Sequence, residues 1–556
     1  MPRPSAAILL ILSCASMTCA QTGTVGVVAA ETETSAGTLS PDDGGDDGRT
    51  AGNDGTSFDL SGGSADACSE RDIDTMGVGE CAERGPPDGE FEPAIQWEWH
   101  GRDDDTDTRV IALVANLTDD DGDGDVDLCD TPEIIVTAGP PPEGNPNTMT
   151  PPDAHLYALD GASGIEHWRS DEPVRATITP ALGDIDGNPG VEIVTLQSVG
   201  DPTGLVQPSR LITFAADGSV LWTSATVFDA PLSDAVAIAD LDLDRDTEII
   251  IGNRVFDHTG GLLFAANDVG ETSGLPLLPL AVDLDDDDDL EVLWSRAAYH
   301  HDGSVMWENA VRPGIPHVAN LNTDPAPEIV VTTENGILLL RNNGTSVGDP
   351  IKPLNAPDSN DTWRRPAAIQ DINGDRRPEL LLSIGESFVA LEVTSRDPQL
   401  TVVLEVGVID PGGHAGGTAF DFMGDAKVEG MYGDQRQLHV FASDREEAEF
   451  TVERSSVTLE EYPVVADVDN DGSAEIVVGS NATAFGVAPT IRVIGDPANR
   501  WVSARRIWNQ HTYHVTNIGE NGRVPTPEPH HWTRTNTFRT NAQTEFGAVC
   551  LPPAIP

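Results

Sequence analysis

The chain has 556 residues, 54 glycines, 41 prolines and a formal charge of −62, from 93 acidic against 31 basic side chains. That length can bury a large core without metal or disulfides, and that charge repels a phosphate backbone or an anionic membrane surface, which makes nucleic acid a poor partner. Short β-branched runs between turn residues favour an all-β repeat array over helical domains.

Residues 1–20 carry one early charge, Arg3, an apolar stretch from Ala6 to Leu12 and then small residues through Ala20. This is the pattern of an export signal, too short to span a bilayer. Two processing routes are open: cleavage after Ala20, or lipid attachment at Cys14. The expected location is extracellular or the outer cell surface, with the periplasm as the alternative and no transmembrane helix in the mature chain. Residues 21–67 are Gly, Ser, Thr and Asp with hardly any apolar periodicity, and are expected to form a disordered acidic linker. Residues 68–90 are a Cys-containing lead-in, 91–515 the repeat domain and 516–556 a C-terminal strap. Outside the signal lie Cys68, Cys81, Cys129 and Cys550. In an exported chain they favour disulfides, with three possible connectivities, and the preferred reading pairs Cys68 with Cys81 and Cys129 with Cys550.

From Phe91 onward one acidic loop recurs, followed each time by a short apolar strand. Its clearest copy places Asp467, Asp469, Asp471 and Glu475 at positions 1, 3, 5 and 9, with the strand IVVG next. The same template fits Asp371, Asn373, Asp375 and Glu379; Asn320, Asn322, Asp324 and Glu328; Asp283, Asp285, Asp287 and Glu291; Asp240, Asp242, Asp244 and Glu248; and Asp184, Asp186, Asn188 and Glu192. Two copies are irregular. The first is best fitted by Asp119, Asp121, Asp123 and Asp127, with an insertion before the strand; another keeps Asp421, Asp425 and Glu429 but has Met423 at position 3. Between the loops runs a second motif, a strand, a Gly-containing turn and a strand ending in Trp or Phe, as in YALDGASGIEHW and AYHHDGSVMW. One period therefore holds about four strands, the content of a propeller blade. The strand AIQWEW before the first loop and IRVIGD after the last are expected to complete one blade together. The prediction is a β-propeller of eight blades, or seven if an irregular copy is not a full blade.

Oxygen ligands at alternate positions let a tight turn wrap one hard cation. Calcium accepts six to eight oxygens with loose geometry, whereas magnesium demands an octahedron and keeps its waters, so several structural calcium ions are expected. Left without a cation, clustered carboxylates repel by on the order of 1 kcal/mol per pair even in a water-like dielectric. The alternative is a set of solvated acidic turns; the Met423 copy is expected to be empty.

These loops resemble those of the FG-GAP or VCBS family, the calcium-loop propellers of integrin α-subunits and many exported bacterial proteins. The resemblance spans about Phe91 to Val515 and implies a calcium-loop propeller, with ligands on the residues named; Asn320, Asn322 and Met423 depart from the pattern. The family hosts adhesion, recognition and carbohydrate-active enzymes, so it implies no single activity. The stretch WVSARRIWNQHTYHVTNIGENGRVP is similar to a segment of repeat proteins on myxobacterial surfaces.

That stretch and its continuation concentrate Arg505, Arg506, Trp508, His511, Tyr513, His514, His530, His531 and Trp532. They read either as a binding surface for sugars and carboxylates or as the last blade plus a strap whose arginines pair with the acidic array. No nucleophile elbow, zinc-protease helix, phosphate-cradling loop or Cys and His pair survives its context. The leading expectation is a non-enzymatic, monomeric recognition or adhesion module for a protein or glycan. A lyase-like polysaccharide-active enzyme and a scaffold subunit of an envelope complex are the alternatives.

Overall fold

The computed structural model describes residues 75–77, 79, 81, 91–143, 151–200, 206–267, 269, 276–322, 325–353, 363–394, 398–410, 414–445, 447–459, 461–481, 484–545 and 547–552. The expected signal, the linker, Cys14, Cys68 and Asp324 lie outside the described residues. No helix among the described residues is long and apolar enough to cross a membrane.

Eight antiparallel sheets follow one another along the chain. Blade 1 orders Leu113–Ala115, Glu133–Ala138, His155–Asp160 and Glu166–Arg169, innermost strand first. Blades 2, 3, 4, 6 and 7 repeat this meander from Ala181–Gly183, Ala237–Ala239, Leu280–Val282, Ala368–Gln370 and Gly417–Phe420. Blade 5 has three strands, Gly314–Ala319, Glu328–Thr333 and Gly336–Arg341, with bridges Ile337–Ile351 and Leu340–Ser346 marking an irregular outer edge. Blade 8 takes Val464–Ala466, Glu475–Gly479 and Ile491–Gly495 from the end of the array and Ala94–Trp99 from its beginning, in the register Trp99 to Ile491 and Ala94 to Gly495. The ring is thus an eight-bladed propeller, closed by hydrogen bonds between the two ends of the repeat as its flanking strands predicted.

The first strands are short, buried but for Gln370, and rich in small and β-branched residues, as in LVA, AIA and VVA. Eight of them converge on one axis, where bulky side chains would collide. The outer strands of blades 2 and 3 are exposed but for one half-buried aromatic each, Trp222 and Phe264, as an edge facing water should be.

The alternating second motif is the contact between blades. The Trp97 indole of blade 8 lies on the Gly164 turn of blade 1 and donates to the Gly161 carbonyl at 2.7 Å; Trp168 of blade 1 donates to Ala216 of blade 2 at 2.8 Å, and Trp307 of blade 4 to Asn342 of blade 5 at 2.9 Å. Each turn needs glycine twice over. Gly164 and Gly344 have φ +70° and +74°, and a Cβ at either would stand 2.4 Å from the tryptophan ring above it.

Residues 501–545 run along the innermost strands rather than outside them. Trp508 bridges Val114 of blade 1, the Asn509 carbonyl accepts from Leu182 of blade 2 at 2.8 Å, and the Gln510 side chain accepts from Ile238 of blade 3 at 2.9 Å. Farther on, Phe538 bridges Ile369 of blade 6, the Arg539 carbonyl accepts from Thr418 of blade 7 at 2.7 Å, and Asn541 donates to Val465 of blade 8 at 2.8 Å. The cluster read as a possible binding surface is therefore interior: Arg505, Trp508, His511 and Tyr513 are fully buried and His514 and His531 nearly so. Its two arginines part ways, one staying within the segment and the other turning to the acidic loops of blades 1 and 8 as a strap would. Arg505 pairs with Glu520 of the same segment at 2.7 Å and donates to Tyr513, Val515 and Ile518, while Arg506 reaches the Leu128 carbonyl and Asn470.

The cysteine pairing also differs from expectation. Cys81 is bonded to Cys550, with Cα atoms 5.3 Å apart, and Cys129 is free. The Cys550 segment is tied to the lead-in by a backbone bond from Leu551 to Gly79 at 2.9 Å, which brings Cys81 to it, whereas Cys129 sits in an insertion of blade 1. Sequence spacing carries no record of either placement.

Candidate metal loops

Each acidic loop joins the first strand of a blade to its second, so all eight emerge at one end of the ring. Their shape comes from short bonds inside the loop. In blade 3 the Asp240 carboxylate accepts the amide of Arg245 at position 6 (3.1 Å), Asp242 that of Asp244 (3.3 Å), and Asp244 that of Asp246 (2.8 Å). The position-1 to position-6 bond recurs from Asp371 to Arg376 (2.7 Å), Asp421 to Ala426 (2.8 Å), Asp283 to Asp288 (3.1 Å) and Asp467 to Gly472 (3.0 Å).

The position-9 glutamate begins the second strand and turns back into the loop. One carboxylate oxygen accepts the position-2 amide in each of blades 2 to 8: Glu192 from Ile185, Glu248 from Leu241, Glu291 from Leu284, Glu328 from Leu321, Glu379 from Ile372, Glu429 from Phe422 and Glu475 from Val468, all between 2.8 and 3.0 Å. All of these glutamates are buried.

What meets the second carboxylate oxygen separates the loops. In blades 5 and 6 it is the side-chain amide of position 3: Asn373 donates to Glu379 at 3.0 Å, and Asn322 donates to Glu328. In blades 2, 3, 4 and 8 position 3 is Asp186, Asp242, Asp285 or Asp469, so carboxylate faces carboxylate. His300 relieves blade 4 in part, with Nδ1 2.9 Å from Glu291, and Gln96 donates to both Asp469 and Glu475 of blade 8 at 3.4 Å. Blade 3 has no such relief among the described residues. Asp240 is 2% exposed; its Oδ2 accepts from the Thr526 hydroxyl, and its Oδ1 has no partner among the described residues. Burial, then Asp242, Asp244 and Asp240, pushes the Glu248 carboxyl up to about 8. In blade 8, burial and then Asp469 and Asp471 push Asp467 up to about 8. A divalent cation among positions 1, 3, 5 and 9 would answer the orphaned oxygen and the facing charges together, so the donor sets of blades 2, 3, 4 and 8 fit a hard cation. The loop with Met423 has no oxygen at position 3.

Blade 1 departs from its expected ligand set. The position-9 role belongs to Glu133, which accepts from Leu117 at 2.7 Å and from the Thr118 hydroxyl, so the blade's own positions 1 and 3 are Asn116 and Thr118. Asp119, Asp121 and Asp123 form a second, inserted loop of similar internal bonding: Gly124 donates to Asp119 and Asp123 to Asp121, both at 2.9 Å. The carboxylate that closes it is Asp130 rather than Asp127. Asp130 is 1% exposed and accepts the amides of Asp120 (2.7 Å) and Asp127 (2.9 Å), while Asp127 turns to the Cys129 amide. Asp130 stands at the twelfth position of this loop, three beyond the ninth that closes the others.

No protein-family model matches the chain, and no curated protein matches it. Solved structures do. The biofilm matrix protein Bap1 of V. cholerae superposes with a TM-score of 0.63 at 18% identity, over 84% of this chain and 100% of that one. The rhamnogalacturonan lyase YesW gives 0.49 at 15% identity, over 83% and 82% of the two chains, and the Bacillus licheniformis rhamnogalacturonan lyase gives 0.48 at 16%, over the same shares. At such identities the likeness to Bap1 is one of fold, and it agrees with the blade count: this chain is an all-β propeller of eight blades.

Proposed function

We propose that the protein is an exported calcium-loop propeller of the FG-GAP or VCBS kind, with structural ions, that recognises a protein or glycan through its faces and performs no chemistry. The buried course of residues 501–545 carries the non-enzymatic reading. It occupies the axis of the ring, where facing inner strands would otherwise leave the cavity in which a site gathers convergent polar groups. Calcium is favoured by all-oxygen donor sets of loose geometry, with Asp240, Asp242, Asp244 and Glu248 the most demanding of them. Bound there, the ion would neutralise the facing carboxylates and fix the turn between first and second strands. Export is favoured by the first twenty residues and by the Cys81–Cys550 disulfide, with Cys14 the candidate lipid anchor.

The calcium test is thermal. Chelation should lower the melting temperature and added calcium restore it; an unchanged curve sinks the calcium assignment. The recognition test pairs glycan-array binding with pull-down from native envelopes.

One cluster favours a second reading. Arg364, Arg365 and His414 precede the inner strands of blades 6 and 7, at the end of the ring opposite the loops. Burial and then Arg365 and Arg364 hold the His414 imidazole down at about 4, neutral at physiological pH. A lyase would use such arginines to neutralise a uronate carboxylate and a neutral base to remove the neighbouring proton. Release of unsaturated ends from acidic polysaccharides would establish that reading and overturn the first.

A further inference from the structure

We infer that the axial segment carries a transition-metal site of the zinc class, made by His514, Glu528 and His531 and separate from the acidic loops. One donor atom from each of the three residues lies within 4.8 Å of the others. The His514 and Glu528 side chains are 3% and 9% exposed and His531 is 1% exposed.

The hydrogen bonds fix which nitrogens are available. His514 Nδ1 lies 3.1 Å from the Thr512 carbonyl, and His531 Nε2 lies 3.0 Å from the Val318 carbonyl at the end of the first strand of blade 5. A carbonyl only accepts, so those two nitrogens carry the protons. His514 Nε2 and His531 Nδ1 are left as lone pairs. This is how a metal-binding histidine is oriented, its far N–H held by a backbone carbonyl.

His514 Nε2 faces Glu528 Oε1 at 2.6 Å, and the Thr516 hydroxyl donates to the same oxygen at 3.2 Å. A lone pair against a carboxylate needs positive charge on the ring or between the two groups. A second proton on His514 would supply it. That proton does nothing for His531, whose Nδ1 is buried with no partner among the described residues and whose ring centre lies 4.4 Å from that of His514. One metal ion satisfies all three groups.

Two imidazoles and one carboxylate suit zinc and its neighbours rather than calcium, which takes six or more oxygens. Tetrahedral zinc would set the donors roughly 3.3 Å apart, so the His514 to Glu528 contact opens by under about 1 Å on binding and a fourth position remains for water or Thr516. His530 is not part of the site: its Nε2 lies 3.0 Å from Asp283 of the blade 4 loop, and its ring stacks on Trp532. The ion would join two stretches of the axial segment to each other and, through Val318, to blade 5.

The test uses the full-length protein, purified without a metal-affinity tag and titrated with cobalt(II) and zinc(II) in excess calcium and magnesium. One equivalent of cobalt should bind with a visible ligand-field spectrum, zinc should displace it, and calcium should not. His531→Phe and Glu528→Gln should each weaken cobalt binding roughly tenfold or more, while His530→Ala leaves it unchanged. Glu528→Gln, at the edge of the buried cluster, covers the case in which His531→Phe does not fold, and folding is judged by melting in calcium. A folded wild type that binds no cobalt, or variants that bind it as tightly as wild type, would overturn the assignment. Failure of the calcium loops would leave these outcomes unaffected, since calcium is present throughout and its binding is read separately.

Discussion

Asn373→Asp isolates the difference between the two kinds of acidic loop. The Asn373 amide donates to the buried Glu379 carboxylate at 3.0 Å. The substitution removes a charge-assisted hydrogen bond worth about 1.5–3 kcal/mol and sets two carboxylates at that spacing. Their repulsion is about 1 kcal/mol in a water-like medium and about 5 kcal/mol at an effective dielectric of 20. Because Asn373 stands at the exposed side of the loop and a proton can be taken up between the two groups, the expected net loss in chelator is about 3 kcal/mol. In calcium the new carboxylate becomes a ligand, and the loss should disappear or reverse. Asp242→Asn in blade 3 is the reciprocal change: it offers Glu248 an amide, and should raise stability in chelator while reducing the gain on adding calcium. Chemical denaturation with and without calcium reads both. Equal shifts of Asn373→Asp in the two conditions, or an Asp242→Asn variant that loses stability equally in both, would refute the reasoning.

Three further outcomes follow from contacts elsewhere. Trp97→Ala removes the indole that covers the Gly164 turn across the ring closure, and should cost roughly 2–4 kcal/mol; Gly164→Ala should cost a comparable amount, from the steric clash and the left-handed backbone, with thermal melting as the readout. Non-reducing peptide mapping should recover Cys81 joined to Cys550, while Cys129 reacts with an alkylating agent in the folded protein. Asp434, buried and holding His439 at 2.8 Å together with the amides of Ile409, Arg436 and Gln437, has its carboxyl below the usual range because those bonds outweigh its burial. Its contribution is therefore present above the unfolded-state value near 3.8 and is lost as pH falls through the lower folded value. Asp434→Asn should be less stable than wild type at pH 7, by roughly 2–4 kcal/mol, and the gap should narrow below about pH 4.

The candidate loops were legible in the sequence because their geometry is local. Alternate oxygen positions and a glutamate that turns back to a neighbouring amide are decided within nine residues, so spacing alone carries them, as it does for Asp467 to Glu475. Occupancy is another matter. Whether a loop needs a cation depends on the group facing the position-9 oxygen and on burial imposed by neighbours, which separates Asp240 from Asp371 although both loops fit one template. Blade 1 shows the limit of a template: its insertion carries a loop of its own, and only pairing of the flanking strands reveals that Glu133 is the blade's own closing residue.

By itself the sequence determined the repeat, the strand content of a blade and the closure of the ring, because acidic loops, apolar strands and the strand–Gly turn–strand motif ending in Trp or Phe are each local patterns that recur along the chain. Tertiary structure alone decided the fate of residues 501–545 and of the cysteines. Those residues have no period of their own, and what buries Arg505, Trp508 and His531 is the axis created when eight inner strands converge from positions hundreds of residues apart.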